Sequence, residues 1–566
     1  MTNTVQEPTV PSVDSADTHS LWRVWGLRIV VAVVVPVFLL IVTEGALRLF
    51  HVGYSTDLME PCTVRGNPAS CYNLFFPAPF FPPGMIKTPQ FFSIAPVKSK
   101  NTFRIFVLGE SAAMGDPDPA YGFSRYLEVM LRSRFPGMKF EVVNTGTVAI
   151  NSHVIRVIAQ QLAAYQPDLY IVYAGSNEVV GPYGPGTVLT SSSMNPTLIR
   201  VSVFVRSTRV GQLLTNVGTQ HAEWRGMEMF LDKQVRADSP RMQPAYRNFS
   251  SNLKDIVDAA RDSGAHVLLS TIATNLRDCA PFASLHREGL RTEALRSWES
   301  LDQQGATAET SGAYGDALRF YESAAKIDGE FADLQFRIAR CLWALGDYQG
   351  ARDHYVRARD LDVLRFRADS RINETIRGVA STSGSAVQLL DAQKLFDENS
   401  QNGIVGGELL YDHVHLTPLG SYLFAHAAYA QVIRMLPASA AASAGTAEPP
   451  SELDCERLLA LTAHDRSRVA SEMIDRLQRP PFTHQLNYAE QVQSLMFRAS
   501  GVTESPQDTA AQYEWAIRQD PEDLTLHYKF GLFLFDYDRN AAAQQLMLAR
   551  PNDTFPVFLP DGTQIR

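Results

Sequence analysis

Apolar residues along this chain follow three patterns. Short unbroken runs alternate with segments of helical spacing. One long apolar run precedes them near the N-terminus. Elsewhere, small and aromatic residues recur at a fixed interval. Phe103-Arg104-Ile105-Phe106-Val107-Leu108, Phe140-Glu141-Val142-Val143 and Leu169-Tyr170-Ile171-Val172-Tyr173 read as buried strands. Phe123 to Phe135 places Tyr126, Leu127, Met130 and Leu131 on one helical face, and His153 to Tyr165 reads as a second amphipathic helix. A fourth strand is predicted at His266–Ile272 and a fifth at Ala386–Leu390. Strands alternating with helices predict an α/β unit, a parallel sheet covered on both faces. Ligands bind beyond the carboxyl ends of such strands.

The long apolar run is of another kind. Residues 1–20 are polar and predicted to be disordered. Ile29 to Thr43 then carries no charge, and the span from Val24 includes only Arg28. A membrane-crossing helix needs about 20 apolar residues, and an arginine near one end reaches the headgroups with its stem. The span 21–47 therefore reads as a transmembrane anchor; a buried core helix or a cleaved signal peptide are the other readings. No Ala-x-Ala site follows, since Thr43-Glu44-Gly45-Ala46-Leu47-Arg48 matches poorly, which favours an uncleaved anchor. Arg23 and Arg28 precede the span and only Arg48 follows closely. This slight bias puts the body on the extracytoplasmic side, in a bacterium the periplasmic or cell-surface side. Residues 48–101 are rich in proline and aromatics and predict an extended arm rather than a helix.

The third pattern lies between the fourth and fifth strands. Gly312, Tyr314, Ala317, Tyr321, Ala324 and Asp328 recur 34 residues later as Gly346, Tyr348, Ala351, Tyr355, Ala358 and Asp362. The spacing is that of tetratricopeptide (TPR) repeats, whose small and aromatic positions let helix pairs stack. Tyr513, Ala516, Asp520 and Pro521, then Gly531 and Tyr537, suggest further units of the kind. The expected organisation is an α/β part at residues 102–299, a TPR-like insertion 300–380, a second α/β part 381–436, an Ala/Ser/Pro-rich linker 437–451 and a helical, TPR-like region 452–566.

Composition adds three limits. A chain of 566 residues is too long for one ordinary domain. A net charge of −9 gives no electrostatic reason to expect nucleic acid. None of the five cysteines has zinc-site spacing, and no metal or other cofactor is expected. Cys62 and Cys71 lie close together; a disulfide in an oxidising compartment and two free thiols are both open readings.

Four short motifs carry the candidate chemistry: Gly109-Glu110-Ser111, Asn144-Thr145-Gly146, Gly175-Ser176-Asn177-Glu178 and Asp412-His413-Val414-His415. The first three each follow a predicted strand. Ser111 is a nucleophile only if a base takes its proton. His415 supplies that base, and Asp412, three residues earlier, fixes its tautomer. His413 is the second choice, expected to point away if the segment is extended. The Ser111 N–H, the Gly146 N–H and the Asn177 amide are candidate oxyanion donors. The missing second glycine of a Gly-x-Ser-x-Gly elbow argues against the α/β-hydrolase fold. Val179 to Pro240 is expected to wall the pocket, with Asn275, Arg277 and His286 reaching its rim.

The order and placement of these motifs resemble the SGNH (GDSL-like) hydrolase family over about 102–275 and 385–436. The resemblance implies a three-layer, flavodoxin-like fold. It also implies the serine, glycine, asparagine and histidine of the four blocks at Ser111, Gly146, Asn177 and His415, with Asp412 as the triad acid. Glu110 and Glu178 depart from the aspartates usual there. The implied function is ester hydrolysis through an acyl-serine, on a substrate such as an O-acetylated cell-envelope or exported glycan, with the repeats available to a protein partner. The same triad also fits an O-acyltransferase. A TPR scaffold with a vestigial enzyme fold is the reading from another class.

Overall fold

The computed structural model describes residues 2, 17–190, 195–216, 223–437, 440, 445, 448–499 and 504–565. Most of the polar N-terminus and most of the predicted linker therefore lie outside the described residues. The chain forms two compact units, the described residues of 1–55 with 201–220, and those of 56–200 with 221–566.

The smaller unit begins with helix α1 (Asp17–Leu49). Its stretch Arg28–Leu49 has a mean hydropathy of 2.6 and none of it is buried inside the protein. In the larger unit the proline-rich segment is not simply extended. Strands β1 (Met59–Val64) and β2 (Asn67–Tyr72) form an antiparallel hairpin, and β3 (Ser93–Ile94) adds to β2. Arg65 and Gly66 both take positive φ at the hairpin tip, as a two-residue turn of this hand requires. Cys62 and Cys71 are bonded to each other.

The main sheet consists of β4 (Thr102–Gly109), β5 (Lys139–Asn144), β6 (Leu169–Tyr173), β7 (His266–Ser270) and β8 (Val387–Leu390). All neighbours are parallel, in the order β5-β4-β6-β7-β8. This is the doubly wound order of the flavodoxin-like fold, with its switch point beside the first strand. β4 is buried at every residue, so its sequence shows no alternation. Its one charge, Arg104, is buried with Glu141 at 2.7 Å and the Tyr165 carbonyl at 2.5 Å, at the end of the sheet remote from Gly109.

Helices make the outer layers. β4 leads through α2 (Ser111–Met114) to α3 (Phe123–Arg134), and β5 leads to α4 (Ser152–Leu162). α7 (Met242–Ser263) precedes β7; between β6 and α7 the chain also forms α5 (Pro196–Ser207) and α6 (Arg209–Asn216), whose residues from 201 on belong to the smaller unit. α4 and α7 pack together on one face of the sheet.

Four helices follow β7: α8 (Thr292–Thr310), α9 (Tyr314–Ile327), α10 (Ala332–Ala344) and α11 (Tyr348–Leu361). They form two stacked hairpins. The repeated residues are their contacts: Ala317, Tyr321 and Ala324 are fully buried, and Ala351, Tyr355 and Ala358 nearly so. Gly312 and Gly346 hold positive φ where α8 and α10 end, which favours glycine. Next comes α12 (Ser370–Thr382), which lies on α7 and β8, with the Asn373 side chain bonded to both N–H and C=O of Ile272. The residues expected as one insertion, 300–380, thus include a layer helix of the sheet. After β8, α13 (Ala392–Glu398) and α14 (Pro418–Met435) follow, and α14 packs on α3 across the other face.

The C-terminal region is helical: α15 (Glu452–Leu458), α16 (Ala463–Leu477), α17 (Tyr488–Ala499), α18 (Pro506–Gln519), α19 (Leu524–Leu534) and α20 (Arg539–Leu548). Tyr513 and Ala516 are fully buried, and Gly531 lies so close to Leu546 that a Cβ would sit 2.7 Å from its Cγ. This region packs on the α/β body, on α3, on the loop after β7 and on the segment after α2. Arg476 pairs with Asp116, and Arg468 and Lys529 pair with Asp118.

Candidate active site

The carboxyl ends of β4, β5 and β6 lie side by side, with Gly109 opposite Tyr173 and Val107 opposite Asn144. Gly109 allows the chain to turn there; a Cβ would sit 2.2 Å from the Tyr173 carbonyl oxygen. Glu110 follows and points back into the protein. Its carboxylate accepts the N–H groups of Ser176 at 2.8 Å and of Gly175 and Asn177 at 3.2 Å. Glu110 therefore ties the first motif to the third. Burial, with Glu178 nearby, pushes Glu110 up to about 8 against these donors. Glu178 itself accepts both the N–H and the hydroxyl of Ser152, each at 2.8 Å, at the start of α4.

Ser111 opens α2, so its N–H has no intrahelical acceptor. Its Oγ is 2.9 Å from Nε2 of His415. Nδ1 of His415 is 2.7 Å from Oδ2 of Asp412. The other Asp412 oxygen accepts the N–H groups of Val414 and His415, both at 3.0 Å. Asp412 is thus completely buried yet fully bonded, and its partners hold it well below the usual carboxylate range despite burial. Asn275 fixes the loop from behind, its amide donating to the Asp412 carbonyl at 3.0 Å and its N–H to the His413 carbonyl at 3.1 Å.

A fourth group, absent from the sequence reading, joins this array. Oδ2 of Asp116 lies 3.0 Å from the same Nε2 that meets Ser111. Arg476, from α16, holds Asp116 with two bonds of 2.5 and 3.1 Å. Nε2 carries at most one hydrogen. Its lone pair cannot face a carboxylate at that distance without repulsion, so the ring rests as an imidazolium between two carboxylates. Burial alone would lower His415; Asp412 and Asp116 outweigh it and raise the ring to about 9. Burial would raise Asp116; His415 and Arg476 outweigh it and hold Asp116 far below its ordinary value.

The oxyanion candidates fare unequally. Asn177 lines the cleft with Ser111. One hydrogen of its amide is taken by the Ile150 carbonyl at 3.0 Å, which leaves the second. Gly146 differs from expectation. Its N–H donates to Oδ1 of Asn144 at 2.9 Å, while the Asn144 amide is held by the Ala113 carbonyl at 2.8 Å and Ser124 at 3.0 Å. That N–H is therefore occupied. The glycine is required here for packing, because a Cβ would sit 2.5 Å from the Met114 nitrogen.

His413 does not point away. The 412–415 segment is a tight turn rather than extended chain, and His413 lines the same cleft, its ring edge-on to Phe282 at 5.3 Å. Burial lowers it, so it is neutral.

The cleft has a volume of about 500 Å³. Its walls are Val180, Trp224, Met227 and Phe230 from the segment after β6, Phe366 from the stretch between α11 and α12, and Arg479 and Phe482 from the C-terminal region. The expected wall at 179–240 is therefore present in part, and two unexpected walls join it. The proposed rim residues do not line the cleft. Asn275 is buried behind the loop, Arg277 pairs with Glu408 at 2.5 Å, and His286 pairs with Asp328 at 2.8 Å.

The repeats reach the site through their last residues. Asp362 accepts the N–H groups of Phe282 at 2.9 Å and Ala283 at 3.2 Å, and Phe282 packs on His413. Asp328, its counterpart 34 residues earlier, accepts the N–H of Arg287 at 3.1 Å in the same loop.

Residues 309–363 match the tetratricopeptide repeat family. No curated protein matches the chain. Among solved structures, the acetyl xylan esterase AlAXEase matches at 12% identity, over 58% of this chain and 100% of that one, with a TM-score of 0.27. A catalytic mutant of Axe2, an acetylxylan esterase from Geobacillus stearothermophilus, matches at 11% identity, over 60% and 95%, also with a TM-score of 0.27.

Proposed function

We propose that this chain is a membrane-anchored serine esterase that works through an acyl-serine intermediate. The observation that carries the reading is the unbroken line from Ser111 Oγ to His415 Nε2 and from His415 Nδ1 to Asp412. Neutral His415 takes the proton of Ser111 as Oγ attacks the ester carbonyl carbon. The oxyanion receives the Ser111 N–H and the free hydrogen of Asn177. The imidazolium then passes its proton to the departing alcohol. Water repeats the sequence in reverse and frees the acid.

Asp116 adds a condition. Its carboxylate favours the imidazolium, which helps each tetrahedral intermediate but opposes formation of the free base. Arg476 moderates this by sharing the Asp116 charge. Activity is therefore expected to rise on the alkaline side. The substrate reading is an acyl ester on a cell-envelope or exported glycan. Aromatic side chains among the lining residues, Trp224, Phe230 and Phe482, suit contact with the apolar faces of sugar rings. The α1 helix reads as the anchor, and the Cys62–Cys71 bond supports an oxidising, extracytoplasmic location.

A fluorophosphonate tests the central claim. It should label the wild-type chain covalently, and Ser111→Ala and His415→Ala should each lose labelling and at least about a thousandfold in ester turnover while remaining folded. A folded wild type that resists the reagent and cleaves no ester would end the proposal. Release of acetate from acetylated glycans, compared with simple aryl esters, would then define the substrate.

A further inference from the structure

The smaller unit carries a surface that the esterase reading does not use. α6 is fastened to the end of α1. The Val210 N–H donates to Glu44 at 3.0 Å, and the Gln212 side chain bonds both N–H and C=O of Tyr54 at 3.0 Å. At Thr208, the hydroxyl caps α6 by accepting the Gly211 N–H at 3.0 Å and donates to the Val205 carbonyl at 2.7 Å. Gly211 permits a sharp corner, since a Cβ there would meet the Val205 oxygen at 1.8 Å. α5 and α6 are thus a fixed helical corner rather than a loose loop.

The outward side of this corner is apolar. Val201, Phe204 and Val205 fall on one face of α5 at helical spacing and are 52%, 71% and 45% exposed. Leu213 and Leu214 on α6 are 46% and 70% exposed, and Leu49 and Phe50 at the end of α1 are both 74% exposed. The sequence from 195 to 216 contains Arg200, Arg206 and Arg209 and no acidic residue, in a chain whose net charge is −9. Arg200 pairs with Asp255 at 2.7 Å, so Arg206 and Arg209 are the cations beside the apolar face, and an apolar face with cations beside it is the composition of a helix that lies in an anionic lipid surface. The position agrees. The 22 residues Arg28–Leu49 span about 33 Å as a helix, close to the hydrocarbon thickness of a bilayer. Glu44 and its partner Arg48, at 2.7 Å, mark the end of that span, and Glu44 is where α6 is attached.

We propose that α5 and α6 form a second membrane-binding element, lying in the interface of an anionic leaflet beside the end of α1. Phe204, Val205 and Leu214 enter the acyl boundary, and the positive charge of this segment draws it to anionic headgroups. The proposal rests on the reading of α1 as an anchor. It gives the chain a two-point attachment, so the anchor is not a free swivel.

The test uses full-length protein in vesicles of phosphatidylcholine and phosphatidylglycerol. Single cysteines replace Phe204, Leu214, Val35 on α1 and Glu322 on α9, and each variant carries an environment-sensitive fluorophore. The native free thiols Cys279, Cys341 and Cys455 are buried. Shallow spin-labelled lipids should quench the labels at 204 and 214, deep ones the label at 35, and neither the label at 322. Aqueous iodide should quench only the last. Replacing phosphatidylglycerol with phosphatidylcholine should weaken the shallow quenching at 204 and 214. If the label at 35 is quenched by lipid and those at 204 and 214 are quenched only by iodide, the interfacial element is wrong and the anchor stands. If 204 and 214 are shielded from both quenchers, a protein covers them and the proposal again fails. If 35 itself escapes lipid quenching, the anchor reading falls, and the proposal with it.

Discussion

Replacing Asp116 with asparagine is the most searching perturbation of this site. The side chain keeps its shape and loses its charge, and both Ser111 and Asp412 remain in place. At 3.0 Å, two unit charges interact by about 5.5 kcal/mol at an effective dielectric constant near 20. Burial of both groups and the Arg476 guanidinium on the same carboxylate offset much of this. An opposite charge so placed typically moves a pKa by about 1–3 units, and with Arg476 sharing it we expect about 1–2. With His415 at about 9, only ~1% of the ring is free base at pH 7. A fall of about 1–2 units raises that share to ~10–50%, so kcat/KM at pH 7 should rise about 10- to 50-fold. The assay is aryl-acetate hydrolysis followed across the pH range. Asp116→Asn should move the acid limb of kcat/KM toward lower pH by the stated amount. Arg476→Gln should move it the other way, because Asp116 then presents its whole charge to His415. The double variant should follow Asp116→Asn. An acid limb that stays fixed in both single variants, on folded proteins, would refute the assignment of Asp116 as the group that sets His415.

Two further outcomes are expected. Asn177→Ala should lower kcat for ester hydrolysis about a hundred- to a thousandfold, measured as burst and steady-state rates; a change confined to KM would remove Asn177 from the oxyanion site. Thermal stability should also depend on His415. A histidine raised in the folded state contributes stability that is fully present below its ordinary pKa near 6.5 and is lost as pH rises through about 9, here about 3 kcal/mol. Buried Glu110 and Glu178, raised to about 8 and about 7, act in the same direction. Denaturant unfolding from pH 6 to 10 should therefore show stability falling with pH, and the fall should be shallower in His415→Gln.

The sheet was legible because its strands are short, fully buried runs bounded by helical spacing; the third strand was placed at Leu169–Tyr173, where it lies. The two hairpins of repeats were legible because six positions recur at one offset, and the buried alanines and tyrosines are those positions. The array of Ser111, Asp412 and His415 was reachable because each residue sits in a local motif. Asp116 was not, since its partner Arg476 lies 360 residues away and an aspartate before a proline reads as ordinary turn chemistry. The Gly146 N–H reads as an oxyanion donor from its place after the second strand, yet the sequence also carries a signal against that role. An asparagine two residues earlier, Asn144, is placed to capture it. Extended backbone would turn His413 away, but the Asp412 carboxylate collects the N–H groups of Val414 and His415 and curls the chain. The expected insertion 300–380 takes in most of α12 because amphipathic spacing does not say which neighbour a helix covers.

The grip of Arg468, Arg476 and Lys529 on the short Asp116-Pro117-Asp118 segment gives the C-terminal helices a say in the proton level at His415. Asp116 reaches from that segment to the imidazole, so whatever loosens those helices returns its whole charge to the ring. A protonation equilibrium at the end of the first strand thereby reports on packing 360 residues further along the chain.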